Sequence, residues 1–142
     1  MIIAVDFDGT IVTHEYPAIG KEIPFAIDTL KRLQSEFHHF LILWTVREGE
    51  TLEDAVEYCR SRGLEFYAVN ANYPEETFSP EVSRKINADL YIDDRGLGGI
   101  PDWGVIYRMI ASGKYNVPPV YELKNEYERE KKSFFKSLFS KK

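Results

Sequence analysis

The chain has a single cysteine, Cys59, among its 142 residues. That excludes an internal disulfide and a cysteine-rich zinc site. Cys59 falls inside a helical pattern and reads as a packing residue. No apolar stretch approaches the ~20 residues of a membrane-spanning helix, so no transmembrane segment is expected. No basic stretch precedes the short apolar run at the N-terminus, so that run does not read as a signal peptide. The default expectation is a cytoplasmic protein. The sequence also lacks internal repeats and low-complexity tracts, and no second domain is expected. At 44% hydrophobic and 29% charged residues, it has the balance of an ordinary globular domain with one proper core. Positive charge is scarce outside one end. The net charge is −5, but residues 129–142 carry six basic side chains against Glu130, leaving −10 for the rest. An acidic body argues against a broad nucleic-acid-binding surface.

The chain is organised around its opening, Met1-Ile2-Ile3-Ala4-Val5-Asp6-Phe7-Asp8-Gly9-Thr10. Ile2 to Val5 read as a strand buried on both faces, as in the middle of a parallel sheet. The run ends abruptly in two carboxylates. Asp6 and Asp8 are two residues apart, so in extended chain they point to the same side. Gly9 follows, where the backbone can turn sharply or approach a ligand. An ordinary Asp-Gly turn explains Asp8 and Gly9 but not Asp6. An acid at the end of a buried run is costly unless it is paired or holds a metal.

After a loop over residues 11–20, helical spacing predicts a helix from Pro24 to Phe37. His38 to Trp44 reads as a second buried strand with Thr45, Val46 and Arg47 at its end. Thr51 to Arg62 reads as a helix capped by Thr51 and stopped by Gly63. Glu65 to Val69 is a short third strand. Residues 70–84 are polar and broken by Pro74 and Pro80, with room for a short helix near Pro80 to Ile86. Ala88 to Ile92 is a fourth strand, ending in Asp93-Asp94-Arg95. Asp102 to Ser112 reads as a helix capped by Asp102, and another helix is expected from Tyr121. Strands alternating with helices predict an α/β fold, a doubly wound three-layer sandwich around a central parallel sheet. The expected organisation is a core over residues 1–120 and a basic amphipathic C-terminal helix over 121–142.

Asp6-Phe7-Asp8-Gly9-Thr10 resembles the first motif of the haloacid dehalogenase superfamily, whose members are mostly magnesium-dependent phosphatases. Further residues resemble the later motifs, in order and near strand ends. Thr45, in Leu41-Ile42-Leu43-Trp44-Thr45, is similar to the hydroxyl that hydrogen-bonds a phosphate oxygen. Lys85, with Arg84 as its rival, stands about where the family places a cation. Asp93-Asp94 resembles the motif that supplies acidic metal ligands, and either acid can be the direct one. The resemblance implies that Asp6 is the nucleophile and Asp8 the general acid/base. It implies Mg²⁺ held by Asp6, the backbone carbonyl of Asp8, and Asp93 or Asp94. It assigns the transferring oxygens to Thr45, Lys85 and the amides near Asp8 and Gly9, with Gly9 and Thr10 as substrate contacts. Because Asp8 is present, phosphoryl transfer is favoured over dehalogenation, since a departing halide needs no proton.

The resemblance covers roughly residues 1–112, and it departs from the family in what is missing. Residues 11–23 and 70–84 are too short to hold the folded cap domain that many members carry. A fairly open site follows, suited to a phosphate on a large molecule or to a cover from elsewhere. Of the polar residues on loops at that end of the sheet (His14, Glu15, Tyr16, Arg47, Asn70, Asn72, Tyr73 and Arg95), Arg47 is the best candidate for gripping a phosphate or carboxylate. The expected activity is hydrolysis of a phosphate monoester through an aspartyl-phosphate. The alternatives are a catalytically idle binding or regulatory module and a phosphotransferase to an acceptor other than water. The C-terminal helix, with Leu123, Tyr127, Phe134 and Leu138 among lysines, packs on its own domain, a second subunit or an anionic membrane. A homo-oligomer through this helix is therefore among the expectations.

Overall fold

A computed structural model gives the fold and describes residues 1–115; the helix expected from Tyr121 onward lies outside them. In chain order the elements are β1 (Ile2–Val5), α1 (Ala26–Phe37), β2 (Phe40–Leu43), α2 (Gly49–Arg60), β3 (Ala68–Val69), β4 (Leu90–Ile92) and α3 (Trp103–Ala111). The four strands form one sheet in the order β3-β2-β1-β4, and every pairing is parallel. This is an α/β fold. The chain divides into two units, Met1–Tyr107 and Arg108–Lys142, with the division falling inside α3. In the second unit the described residues are 108–115. There the helix closes with Ser112 N–H donating to Arg108 O and Gly113 N–H to Ile110 O. No helix among the described residues is long and apolar enough to cross a membrane.

β1 is central because its sequence tolerates burial on both sides. Ile3 and Val5 are fully buried, and Ala4 nearly so. Its register sets Ile3 beside Leu41 and Val5 beside Leu43 in β2, and Val5 beside Ile92 in β4. Alternation sends Ala4 to the opposite face. There it clusters with Ile42, Ala68 and Ile86. Ile86 belongs to the connection between β3 and β4, and that connection contains no helix. The short helix expected near Pro80 is reduced to a single turn, closed by Val82 N–H donating to Ser79 O. Pro80 and the polar run before it give no apolar face that would justify more.

The other departures have local causes. α1 begins at Ala26, because Phe25 takes a left-handed conformation at φ 69°. α2 begins two residues before Thr51, and Thr51 is no cap; its hydroxyl donates back to Glu48 O at 2.8 Å. β3 is cut to two residues. β4 starts at Leu90; just before it, Asp89 meets Ile2 twice, its carboxylate accepting from Ile2 N–H at 2.7 Å and its own N–H donating to Ile2 O at 2.9 Å. The Asp102 cap is present, its carboxylate accepting from Val105 N–H at 3.0 Å.

Candidate active site

The sheet order reverses beside β1. The chain steps outward from β1 to β2 to β3, then returns to lay β4 on the other side of β1. In open parallel sheets the crevice for ligands lies at such a reversal, beyond the carboxyl ends of the strands. Asp6 follows β1 there, and Asp93 and Asp94 follow β4. Asp6 N–H donates to Ile92 O at 3.0 Å, which locks the two strand ends together.

The turn after Asp6 is tight. Phe7 O accepts from the amides of Ile11 and Val12, and Gly9 N–H donates to Val12 O at 2.7 Å. Gly9 has φ 91°, a region that favours glycine. A Cβ there would stand 2.3 Å from Asp94 Oδ2, so the turn needs glycine for space as well as for φ. Thr10 is fully buried. Its hydroxyl donates to Asp6 Oδ2 at 3.2 Å and accepts from Asp94 N–H at 3.1 Å. Trp103, from α3, donates its indole N–H to Thr10 O at 3.0 Å. Gly9 and Thr10 were expected as substrate contacts through the amides of this turn, but Gly9 N–H goes to Val12 O and Thr10 N–H to Phe7 O at 3.3 Å, while the Thr10 hydroxyl ties the two acidic strand ends together.

Asp6, Asp93 and Asp94 each offer a carboxylate oxygen, and these atoms lie within 4.8 Å of one another. Asp94 Oδ1 is buried and has no hydrogen-bond partner among the described residues. Burial, above all, pushes the Asp6 carboxyl up to about 6; repulsion from Asp93 and Asp94 adds to this, and hydrogen bonds from Phe7 N–H and Thr10 oppose it. Three acids facing one another with an orphaned oxygen are unfavourable as they stand. An all-oxygen donor set suits a hard divalent cation such as Mg²⁺, which retains waters in its remaining positions. The residues present therefore fit the ion that the sequence reading expects. Asp8 contributes no carboxylate to this cluster.

Arg47 is the largest surprise. It was expected on an open loop, gripping substrate, but its side chain is fully buried. Nε donates to Asp8 Oδ2 and Nη2 to Asp8 Oδ1, both at 2.7 Å. The remaining N–H groups reach Ala18 O at 2.7 Å, Pro17 O at 2.9 Å and Thr51 O at 3.3 Å. All five guanidinium hydrogens thus have acceptors, and none is left for a substrate. The Asp8 hydrogen bonds raise the Arg47 pKa further, against the pull of burial. A signal for this pair exists in the sequence. Asp8 follows a buried strand and needs a partner, and Arg47 follows the neighbouring buried strand.

Thr45 ends β2 at the site. Its N–H donates to Asn70 Oδ1 at 2.8 Å. Asn70, in a left-handed conformation at φ 49°, also donates to Arg47 O at 3.3 Å. Thr45 Oγ1 accepts from Arg47 N–H at 3.2 Å, which leaves its own proton available. An opening of about 280 Å³ is bounded by Asp6, Asp8, Asp93 and Thr45, with His14 and Arg95 at its lip. Arg95 and His14 are 3.0 Å apart, and Arg95 N–H donates to Asp93 Oδ1 at 2.8 Å. Lys85 does not line this opening. It is exposed, with its ammonium 5.2 Å from the centre of the Tyr91 ring. Its rival Arg84 borders a second cavity, which meets the opening at Trp44, Thr45 and Val46.

Fold and site together define an α/β protein with an acidic cluster at the carboxyl edge of a parallel sheet. No protein-family model matches the chain, and no curated protein matches it. Among solved structures it is similar to a conserved protein from Bacteroides thetaiotaomicron. The two are 67% identical over 80% of this chain and 92% of that one, with a TM-score of 0.76. The chain belongs to the same family as that conserved protein.

Proposed function

We propose that the protein is a magnesium-dependent phosphatase of the haloacid dehalogenase type, built on a doubly wound α/β core without a sizeable cap. The observation that carries this reading is the convergence of Asp6, Asp93 and Asp94, with one Asp94 oxygen unpartnered among the described residues, at the carboxyl edge beside the central strand. These three carboxylates would hold Mg²⁺, which would offset the repulsion between an anionic nucleophile and an anionic phosphate.

In this mechanism an Asp6 oxygen attacks phosphorus, and the ester oxygen leaves with the bonding pair, giving an aspartyl-phosphate. Asp8, whose carboxylate is paired with Arg47, first takes a proton from solvent and passes it to the leaving oxygen. It then takes a proton from the water that attacks phosphorus, and the Asp6–phosphorus bond breaks to release phosphate. Thr45 donates its hydroxyl to a phosphoryl oxygen. Arg95 takes the anchoring role expected of Lys85, because it lines the opening and Lys85 does not. Both Asp8 oxygens accept from Arg47, so proton transfer uses their second lone pairs or a partly opened fork.

That grip on Asp8, with Lys85 outside the opening, favours one competing reading: a metal-dependent phosphate-binding module with no turnover. Phosphate release from a broad panel of monoesters, with and without Mg²⁺ and beside Asp6→Asn, separates the two. Turnover that needs the metal and vanishes in the variant supports the phosphatase. Metal-dependent binding of phosphate esters without release supports the module. A phosphotransferase would transfer label to an alcohol acceptor without matching free phosphate.

A further inference from the structure

The second cavity, of about 430 Å³, lies within the size range of small-molecule sites. It shares Trp44, Thr45 and Val46 with the opening over the acid cluster. A phosphate bound at Thr45 therefore has this cavity as its neighbour. The lining is unusual for a surface hollow. Val46 is 84% exposed and Phe78 73% exposed, and both face it beside Trp44. The Arg84 guanidinium is 5.8 Å from the centre of the Phe78 ring, and among the described residues Arg84 makes no ion pair. A flat guanidinium beside an aromatic ring is a stacking surface.

The wall that carries Phe78 and Arg84 has no helix, yet it is tied down. Ile86 is packed into the sheet cluster. Glu76 accepts from Asn72 N–H at 2.6 Å and from the Asn72 side-chain amide, so this carboxylate is already committed. Asn72 Oδ1 in turn accepts from Asn87 N–H at 2.7 Å, and Tyr91 donates its hydroxyl to Ile86 O. A preformed wall lowers the cost of ordering a ligand.

We propose that this cavity seats the leaving group of the substrate and selects a flat aromatic or heteroaromatic ring close to the phosphate-bearing carbon. The ring stacks on Phe78 and Arg84 and packs against Val46 and Trp44. This deepens the phosphatase reading and rests on it for the position of the phosphate. Glu48 also borders the cavity, which argues for a ring without further negative charge.

The test is calorimetric binding of benzylphosphonate and butylphosphonate to the wild-type chain in Mg²⁺, repeated with Phe78→Ala. Both ligands carry the same anionic head and cannot be hydrolysed, and they differ in the ring. Benzylphosphonate is expected to bind about tenfold more tightly, the size of an aromatic and cation–π contact. In Phe78→Ala the ratio should fall to within about twofold, as expected when the ring loses its stacking partner. Equal affinities, a ratio unmoved by Phe78→Ala, or no binding of either ligand overturns the proposal. Turnover of benzyl and butyl phosphate is measured beside it and judges the phosphatase reading separately. Selective binding without turnover keeps the cavity and removes the enzyme. Turnover without ring selectivity does the reverse.

Discussion

Replacing Asp6 with Asn should make the metal-free protein more stable at neutral pH while removing its response to Mg²⁺. Asp6 is half-buried, and its carboxyl is pushed from 3.8 up to about 6, first by burial and then by Asp93 and Asp94 against two opposing hydrogen bonds. The folded metal-free state therefore keeps a proton that the unfolded chain gives up. Its favourable contribution is complete below about pH 4 and is lost as pH rises through about 6. Each pKa unit corresponds to about 1.4 kcal/mol, so the full shift is worth about 3 kcal/mol. Discounting for partial exposure leaves roughly 1–2 kcal/mol. Asn removes the charge and keeps an oxygen that can accept from Thr10. At pH 7.5 in a chelator the variant should melt about 3–6 °C higher, at a few degrees per kcal/mol for a chain of this size. At pH 4 the two melts should converge. Mg²⁺ should raise the wild-type melt and leave the variant nearly unchanged. Thermal melts across this pH range, with and without Mg²⁺, decide it. A variant that is less stable at pH 7.5, or that keeps the full Mg²⁺ increment, refutes the idea that three uncompensated acids await a cation.

Three further outcomes follow from single contacts. Arg47→Met should destabilise the fold by about 3–5 kcal/mol in urea unfolding, because Asp8 is left as a buried unpaired charge; adding Asp8→Asn should recover part of that loss. Gly9→Ala should abolish the Mg²⁺-dependent rise in melting temperature, since its Cβ would displace Asp94 from 2.3 Å away, and isothermal titration with Mg²⁺ should show the same loss. His38 ends α1 at φ 53°, with the amides of His38 and His39 bonded to Gln34 O and Leu33 O; His38→Gly should stabilise by about 1 kcal/mol without changing the Mg²⁺ increment.

Local patterns made much of this molecule legible. Apolar runs that end in polar residues placed β1, β2 and β4, because buried parallel strands cannot hide their composition. The same reasoning marked Asp6, Asp93 and Asp94, where the cost of leaving acids at strand ends points to a cation. Boundaries were less legible, because single side chains set them. At the start of β4 the Ile2 amide is taken by the Asp89 carboxylate, and Phe25 delays α1 by adopting a left-handed backbone. Periodicity reports neither. Lys85 was chosen over Arg84 by position in the sequence. Neighbours in a loop can face different ways: Arg84 borders the second cavity and Lys85 lies beside Tyr91.

Arg47 shows how far a correct local rule can mislead when its partner is distant. An arginine just past a strand, beside a prospective anion site, is a reasonable anion grip. But Asp8, 39 residues earlier, has the same need for a cation and lies on the adjacent strand end. A bidentate pair closed at 2.7 Å in a buried setting satisfies both charges. A mobile substrate would have to compete with that pair and with three backbone carbonyls at once. Burial therefore assigns Arg47 to holding Asp8, and in the proposed mechanism the anion falls to Arg95, which lines the opening. The same choice tethers the loop at Pro17 and Ala18, two exposed residues whose main chain is held by Arg47. Their carbonyls complete the guanidinium that fixes the acid. The residue expected to touch substrate instead sets the position of the group proposed to move the proton.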